Sequence, residues 1–216
     1  MIVINAKVYK EGTGRSVVKL AGIAKRVRSE FGVRVVLAVQ AQDIDAVART
    51  GIATFAQHVD PVCFGAFTGH VLCEGVQQVG ACGTILNHAE KRLSWQVLKE
   101  TVLRAKNCGL HTLVCAQTLN EAVRIARLKP YAIAIEPPEL IGGSISVSEA
   151  RPELIKKATE RIKNIPVLCG AGIHNGNDVK EALRRGAKGV LVAHAVVCAR
   201  NPKKVLEELA TSFLEK

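Results

Sequence analysis

The chain predicts an α/β fold, a (β/α)8 barrel with a parallel eight-stranded core, on three observations. Short β-branched runs alternate eight times with longer amphipathic stretches, the pattern of repeated βα units. The chain has 216 residues, within the roughly 200–250 that one such barrel occupies. Aromatics are few (five Phe, two Tyr, one Trp) while 48% of residues are hydrophobic. The core is therefore Val, Ile, Leu and Ala, as parallel strands buried on both faces require. No Pro/Gly/Ser linker or low-complexity segment divides the chain, so residues 1–216 read as one domain. An open doubly wound sheet is the alternative, but no GxGxxG follows the first strand.

Taken in order, the expected strands are Ile2–Asn5, Arg34–Ala38, Ala53–Ala56, Gly83–Asn87, Thr112–Ala116, Ala132–Glu136, Pro166–Cys169 and Gly189–Ala193. Each is a short apolar run bounded by turn residues. Between the first two, Gly14–Phe31 sets Val17, Leu20, Ala21, Ala24 and Val27 on one helical face, with Lys25, Arg26 and Arg28 largely elsewhere. Trp95–Cys108 and Pro152–Ile162 repeat the pattern. Gly109 and Gly186 stand where a left-handed glycine ends a helix. Asp60–Leu72 is long for a bare connection, and such loops are usually functional or take part in assembly. The segment Ala89–Leu103 reads as helical, which would put His88 at a helix N-terminus.

Composition narrows the function. No run of 18 apolar residues exists, so no membrane span is expected. The opening Met1-Ile2-Val3-Ile4-Asn5 lacks the basic region and apolar length of a secretory signal. Seven cysteines form no CxxC pair and show no metal-ligand spacing, so we expect no metal. Several lie inside apolar runs, as free thiols of a cytoplasmic protein do. The net charge is +11. The basic residues are spread along helices without interleaved aromatics, which argues against nucleic acid and leaves an anionic substrate or a solvated surface.

In a (β/α)8 barrel the chemistry sits at the C-terminal ends of the strands. Those ends carry Asn5-Ala6-Lys7, Asn87-His88-Ala89-Glu90, Glu136-Pro137-Pro138, Gly170-Ala171-Gly172 and Ala193-His194. Asn-x-Lys, a lone His or a Gly-Ala-Gly turn each has an ordinary structural reading. Glu136 is harder to dismiss, because it follows Ala132-Ile133-Ala134-Ile135 and an ionised carboxylate there needs a reason. Together the types suit proton transfer next to a carbonyl. A carboxylate in a water-poor site serves as base, and a neutral imidazole donates to the enediolate oxygens. Gly142, Gly143, Gly170 and Gly172 offer bare backbone N–H groups to a phosphate, and Lys7 offers a cation.

These motifs resemble the triosephosphate isomerases, especially their short archaeal-type branch, from about Ile2 to Leu209. The order matches through Asn5-x-Lys7, Phe55-Ala56-Gln57-His58, Gly65-Ala66-Phe67-Thr68-Gly69, Leu86-Asn87-His88-x-Glu90, Val114-Cys115-Ala116, Glu136-Pro137-Pro138-Glu139-Leu140-Ile141-Gly142, Gly170-Ala171-Gly172-Ile173 and Gly189-Val190-Leu191-Val192-Ala193. The resemblance implies interconversion of D-glyceraldehyde 3-phosphate and dihydroxyacetone phosphate without a cofactor. It implies Glu136 as base, His88 as electrophile, Lys7 as the cation beside the substrate and Asn5 as its orienting group. This Glu-and-His division of labour, with a closing loop, is the family's established chemistry. The resemblance also implies that Gly142, Gly143, Gly170, Ala171, Gly172, Ala193 and His194 surround the phosphate. Glu90 would pair near the lysine, Cys115 would be the family's buried strand-5 cysteine, and Pro137–Gly142 a lid. Thr68 would tip a loop docked into a neighbouring subunit, making a homodimer or homotetramer.

Four positions depart from the family pattern. Ala6 replaces an aromatic, Ala89 a serine, and Gly142-Gly143-Ser144 a Gly-Thr-Gly; Ala193-His194 stands where Gly-Gly or Ala-Ser is usual. His194 can hold phosphate as a protonated donor, or turn aside and act only by bulk. A main-chain phosphate loop favours the second. The departures also motivate a second reading, a catalytically weakened barrel used for phosphosugar binding or assembly. A lyase or epimerase on the same barrel is less well supported, since no strand core holds the lysine a Schiff base would need.

Overall fold

The structure is a computed structural model and describes residues 1–137 and 152–214. The eight strands are β1 (Ile2–Asn5), β2 (Val35–Val39), β3 (Ala53–Ala56), β4 (Gly83–Leu86), β5 (His111–Ala116), β6 (Ala132–Ile135), β7 (Val167–Cys169) and β8 (Gly189–Val192). Each pairs in parallel with the next, and β1 closes the barrel on β8, with Ile2 opposite Val35 on one side and Val190 on the other. All eight expected strands are present, displaced at their ends by one or two residues.

The helices that matter for the site are α1 (Gly14–Phe31), α2 (Ile44–Ala48), α3 (Cys73–Gln78), α4 (Trp95–Asn107), α5 (Leu119–Ala126), α6 (Pro152–Arg161), α7 (Gly176–Arg184), α8 (His194–Val197) and α9 (Pro202–Thr211). α1 buries the expected stripe, Val17, Leu20, Ala21, Ala24 and Val27, and stops at Gly32, whose φ of 66° no β-branched residue adopts readily. Gly109 and Gly186 likewise have φ of 75° and 93°.

Strand alternation divides the core in two. Val3, Val36, Ala38, Phe55, Ile85, Leu113, Cys115, Ala132, Ala134, Leu168 and Leu191 fill the barrel. Their neighbours, such as Ile2, Ile4, Val35, Leu37, Ile133 and Ile135, face the helices. Because side chains repeat every second residue along a strand, this parity fixes what reaches the mouth. Val3 is followed at the interior position by Asn5, Ala134 by Glu136, Leu168 by Gly170, and Leu191 by Ala193. Among the described residues no helix is long and apolar enough to cross a membrane.

Candidate active site

The interior parity delivers four strand ends to one cavity, lined among others by Asn5, Lys7, His88, Glu136, Gly170, Ala171, Gly172, Ala193 and His194. The sequence-predicted residues inside the described segments thus converge, with two exceptions. Glu90 lines the adjoining cavity on the β1–β3 side. Thr68 is exposed on the 57–72 loop and lines neither. Gly142 and Gly143, with the lid beyond Pro137, lie outside the described residues.

Lys7 is presented by a strained backbone. Its φ is 46°, uncommon for a side-chain-bearing residue. Two contacts hold it there. Its N–H donates to Asn5 Oδ1 at 3.0 Å, and its carbonyl accepts from Gln57 Nε2 at 3.0 Å. The ammonium donates to Glu90 Oε1 at 2.6 Å. Gln57 and Tyr9, which lines the cavity, were not singled out from sequence. Both stand in or beside quoted motifs, so their place in those motifs was the available signal.

His88 is set by the β4–α4 connection, and here the structure corrects the sequence reading. Residues 88–94 are not helical, and α4 begins only at Trp95, with the Ser94 side chain accepting from Val97 N–H. Asn87 adopts φ of 61° and serves as the hub. Its amide donates to Cys115 O at 2.9 Å and Glu121 Oε1 at 3.1 Å, while its Oδ1 accepts from Leu93 N–H at 3.0 Å. Arg92 donates to Asn87 O and pairs with Glu121. A helix dipole therefore does not keep His88 neutral. Burial holds its imidazole below the ordinary range, with Lys7 acting the same way and Glu90 opposing. The Glu90 N–H donates to His88 Nδ1 at 3.1 Å. An Nδ1 that accepts leaves the neutral ring's proton on Nε2, which faces Glu136 Oε1 at 3.6 Å.

Glu136 is 1% exposed, and neither carboxylate oxygen has a hydrogen-bond partner among the described residues. Burial pushes its carboxyl up to about 7, against smaller pulls from Cys115 and Lys7. Beneath it, burial and the Glu136 charge raise the Cys115 thiol well above its usual value. Gly170 makes room for it. A β-carbon there would lie 2.4 Å from Glu136 Cγ, so any other residue must displace the carboxylate. Gly172, with φ of 70°, turns the chain after β7.

At the end of β8, His194 is exposed at the cavity rim, its ring edge-on to Tyr9 with centroids 5.9 Å apart. His174, not anticipated from sequence, lines the same cavity after the Gly170–Gly172 turn. Among the described residues no group of His, Cys, Asp and Glu is arranged to hold a metal ion.

An ionisable base without partners, a neutral imidazole beside it, a paired lysine and two glycine- and alanine-lined turns form a site for proton transfer on an anionic substrate. Comparison with known proteins agrees. The family model described as triosephosphate isomerase matches residues 1–210. The chain is 41% identical to the triosephosphate isomerase of Methanothermus fervidus, covering 99% of this chain and 98% of that protein. It is 42% identical to that of Methanocaldococcus jannaschii, covering 97% and 98%. A crystal structure of triosephosphate isomerase from Bartonella henselae superposes with a TM-score of 0.73 at 20% identity, over 99% of this chain, a likeness of fold. Barrel, site and full-length matches lead to one conclusion: the chain belongs to the triosephosphate isomerase family.

Proposed function

We propose that the chain interconverts D-glyceraldehyde 3-phosphate and dihydroxyacetone phosphate, with Glu136 as the base. The observation that carries this is the unpartnered, buried Glu136 carboxylate 3.6 Å from His88 Nε2. Glu136 takes a proton from the carbon beside the carbonyl. His88 Nε2–H donates to the oxygen that gains charge, giving an enediolate. Glu136 returns its proton to the neighbouring carbon, so base and donor end as they began. Lys7 and Asn5 position the substrate, and Glu90 orients Lys7. Backbone N–H groups around Gly172, Ala193 and His194 receive the phosphate, joined by Gly142 and Gly143 from the lid.

We infer further that the chain works as a homodimer or homotetramer. Phe64 and Phe67 on the 57–72 loop are 72% and 46% exposed. The cavity beside Lys7, lined by Gln40, Gln57, His58 and Glu90, is placed to receive such a loop, with Thr68 at its tip, from another copy. The seven free thiols suit the reducing cytoplasm, where we place the protein. A coupled spectrophotometric assay tests the activity. Turnover of both triose phosphates, abolished in Glu136→Gln, is expected. A purified wild-type protein that binds a triose phosphate without converting it would instead establish the weakened, binding-only reading.

A further inference from the structure

Three of the chain's six histidines line one cavity, and only His88 has a part in the proton transfer. The other two, His174 and His194, come from separate elements. His174 follows the Gly170–Gly172 turn after β7, with its own N–H held by Asp178 Oδ2 at 2.8 Å. His194 follows β8 directly. These are the two turns whose backbone would cradle a phosphate, so the imidazoles stand at the same end of the cavity. Both side chains are exposed at its rim. The edge-on contact of His194 with Tyr9, at an interplanar angle of 75°, ties the ring to the β1–α1 connection. An imidazole so placed adds charge to the phosphate end without replacing a main-chain contact.

We propose that His174 and His194 form a titratable cationic rim that sets the affinity of the site for the dianionic group of its substrate. The proposal rests on the reading of the cavity as a triose-phosphate site. As imidazolium ions the pair attracts a dianion, and the attraction fades as the pair loses its protons with rising pH. The reading from main chain alone, a purely steric His194, treated that residue without His174.

Other groups face the pair. Lys7, Tyr9, His88 and Glu136 share the cavity, Asp178 lies on α7, and Glu11 is next to Cys198 at the end of α8. Glu136, with its carboxyl pushed up to about 7, also becomes negative as the pH rises and also repels a dianion. A test must therefore separate the histidines from Glu136.

Sulfate is the probe, because it keeps its full double charge over the range in which imidazole titrates, whereas a phosphate ester does not. Its competitive inhibition constant would be measured from about pH 6 to about pH 8 for the parent and for a His174→Gln/His194→Gln double variant. The expected result is roughly a tenfold weakening in the parent and about a twofold one, owed to Glu136, in the double variant. Equal pH slopes in the two proteins would overturn the proposal while leaving the site reading intact. Sulfate that fails to compete in either protein would overturn both. Should the double variant not fold, NMR titration of the parent's histidines gives the same answer by linkage. Sulfate should raise the titration midpoints of His174 and His194 together. Midpoints unmoved by sulfate would refute the rim.

Discussion

Glu136 sets stability against chemistry within one side chain. An ionised carboxylate with no hydrogen bond and 1% exposure is costly. The cost has a definite pH signature. The unfolded chain gives up this proton near 4.5, whereas the folded one holds it to about 7. Between those values the native state binds the extra proton, so the contribution of Glu136 to stability falls as pH rises and the penalty is complete above about 7. The shift corresponds to about 3 kcal/mol. Glu136→Gln should therefore lose turnover yet resist urea better at pH 8 than the parent, by up to about 3 kcal/mol, with the gain vanishing near pH 4. Stability that is unchanged at both pH values would mean the carboxylate is solvated. Glu136→Asp keeps the charge and moves it by about 1 Å, and a misplacement of that size costs on the order of 10²-fold in rate. For the parent, turnover should rise with pH through about 7 as Glu136 sheds its proton.

At the scale of the element, the β4–α4 connection shows where the sequence stops being readable. β-branched runs and one-sided helices were legible because burial enforces their periods: α1 has the expected bounds and buries the expected face. The strand ends were legible too, because parity carries Asn5, Glu136, Gly170 and Ala193 from the interior rows to the mouth. Residues 88–94 obey no period. Their path is dictated by Asn87, Arg92 and Glu121, three polar residues that hydrogen-bond across two connections. Such a network depends on which loops meet, and local propensity does not encode it. The histidines at the phosphate end were partly hidden for the same reason, since His174 and His194 are 20 residues apart in the chain and share a rim only once the barrel closes. The strut makes a prediction. Asn87→Ala loses three hydrogen bonds and keeps a β-carbon in the left-handed region, so it should cost about 3 kcal/mol. Asn87→Gly loses the same bonds but relieves the backbone, and should be milder by about 1 kcal/mol. In both, kcat should fall more than KM rises, because His88 is the side chain the strut aims. Thermal unfolding and steady-state kinetics of the two variants check this. An alanine variant as stable as the glycine variant would show that the left-handed backbone contributes nothing.

At the scale of the molecule, a barrel with its mouth at one end has to close that mouth against water, and the chain carries a loop suited to doing so for a neighbour. The 57–72 loop is anchored at its base: Asp60 Oδ2 accepts from Val71 N–H at 2.7 Å, and Arg104 on α4 donates to Val62 O at 3.3 Å. Its outer part carries two phenylalanines in water, Phe64 and Phe67. A rigid loop with an apolar tip gains by burial about 25 cal/mol for each Å² removed from water. Association must overcome the net charge of +11 on each copy, a repulsion that salt screens over about 10 Å at 0.1 M. The oligomer should accordingly tighten as salt is raised, the opposite of an assembly held by ion pairs. Sedimentation velocity at micromolar protein should show a dimer or larger species, strengthening between about 20 mM and about 300 mM salt. A Phe64→Ser/Phe67→Ser double variant should dissociate. Because the loop is expected to rest beside the partner's Lys7, the dissociated protein should also lose at least about tenfold in kcat, by loosened positioning of the cation. A variant that sediments as a monomer and turns over like the parent would separate assembly from catalysis and leave the loop with a structural role alone.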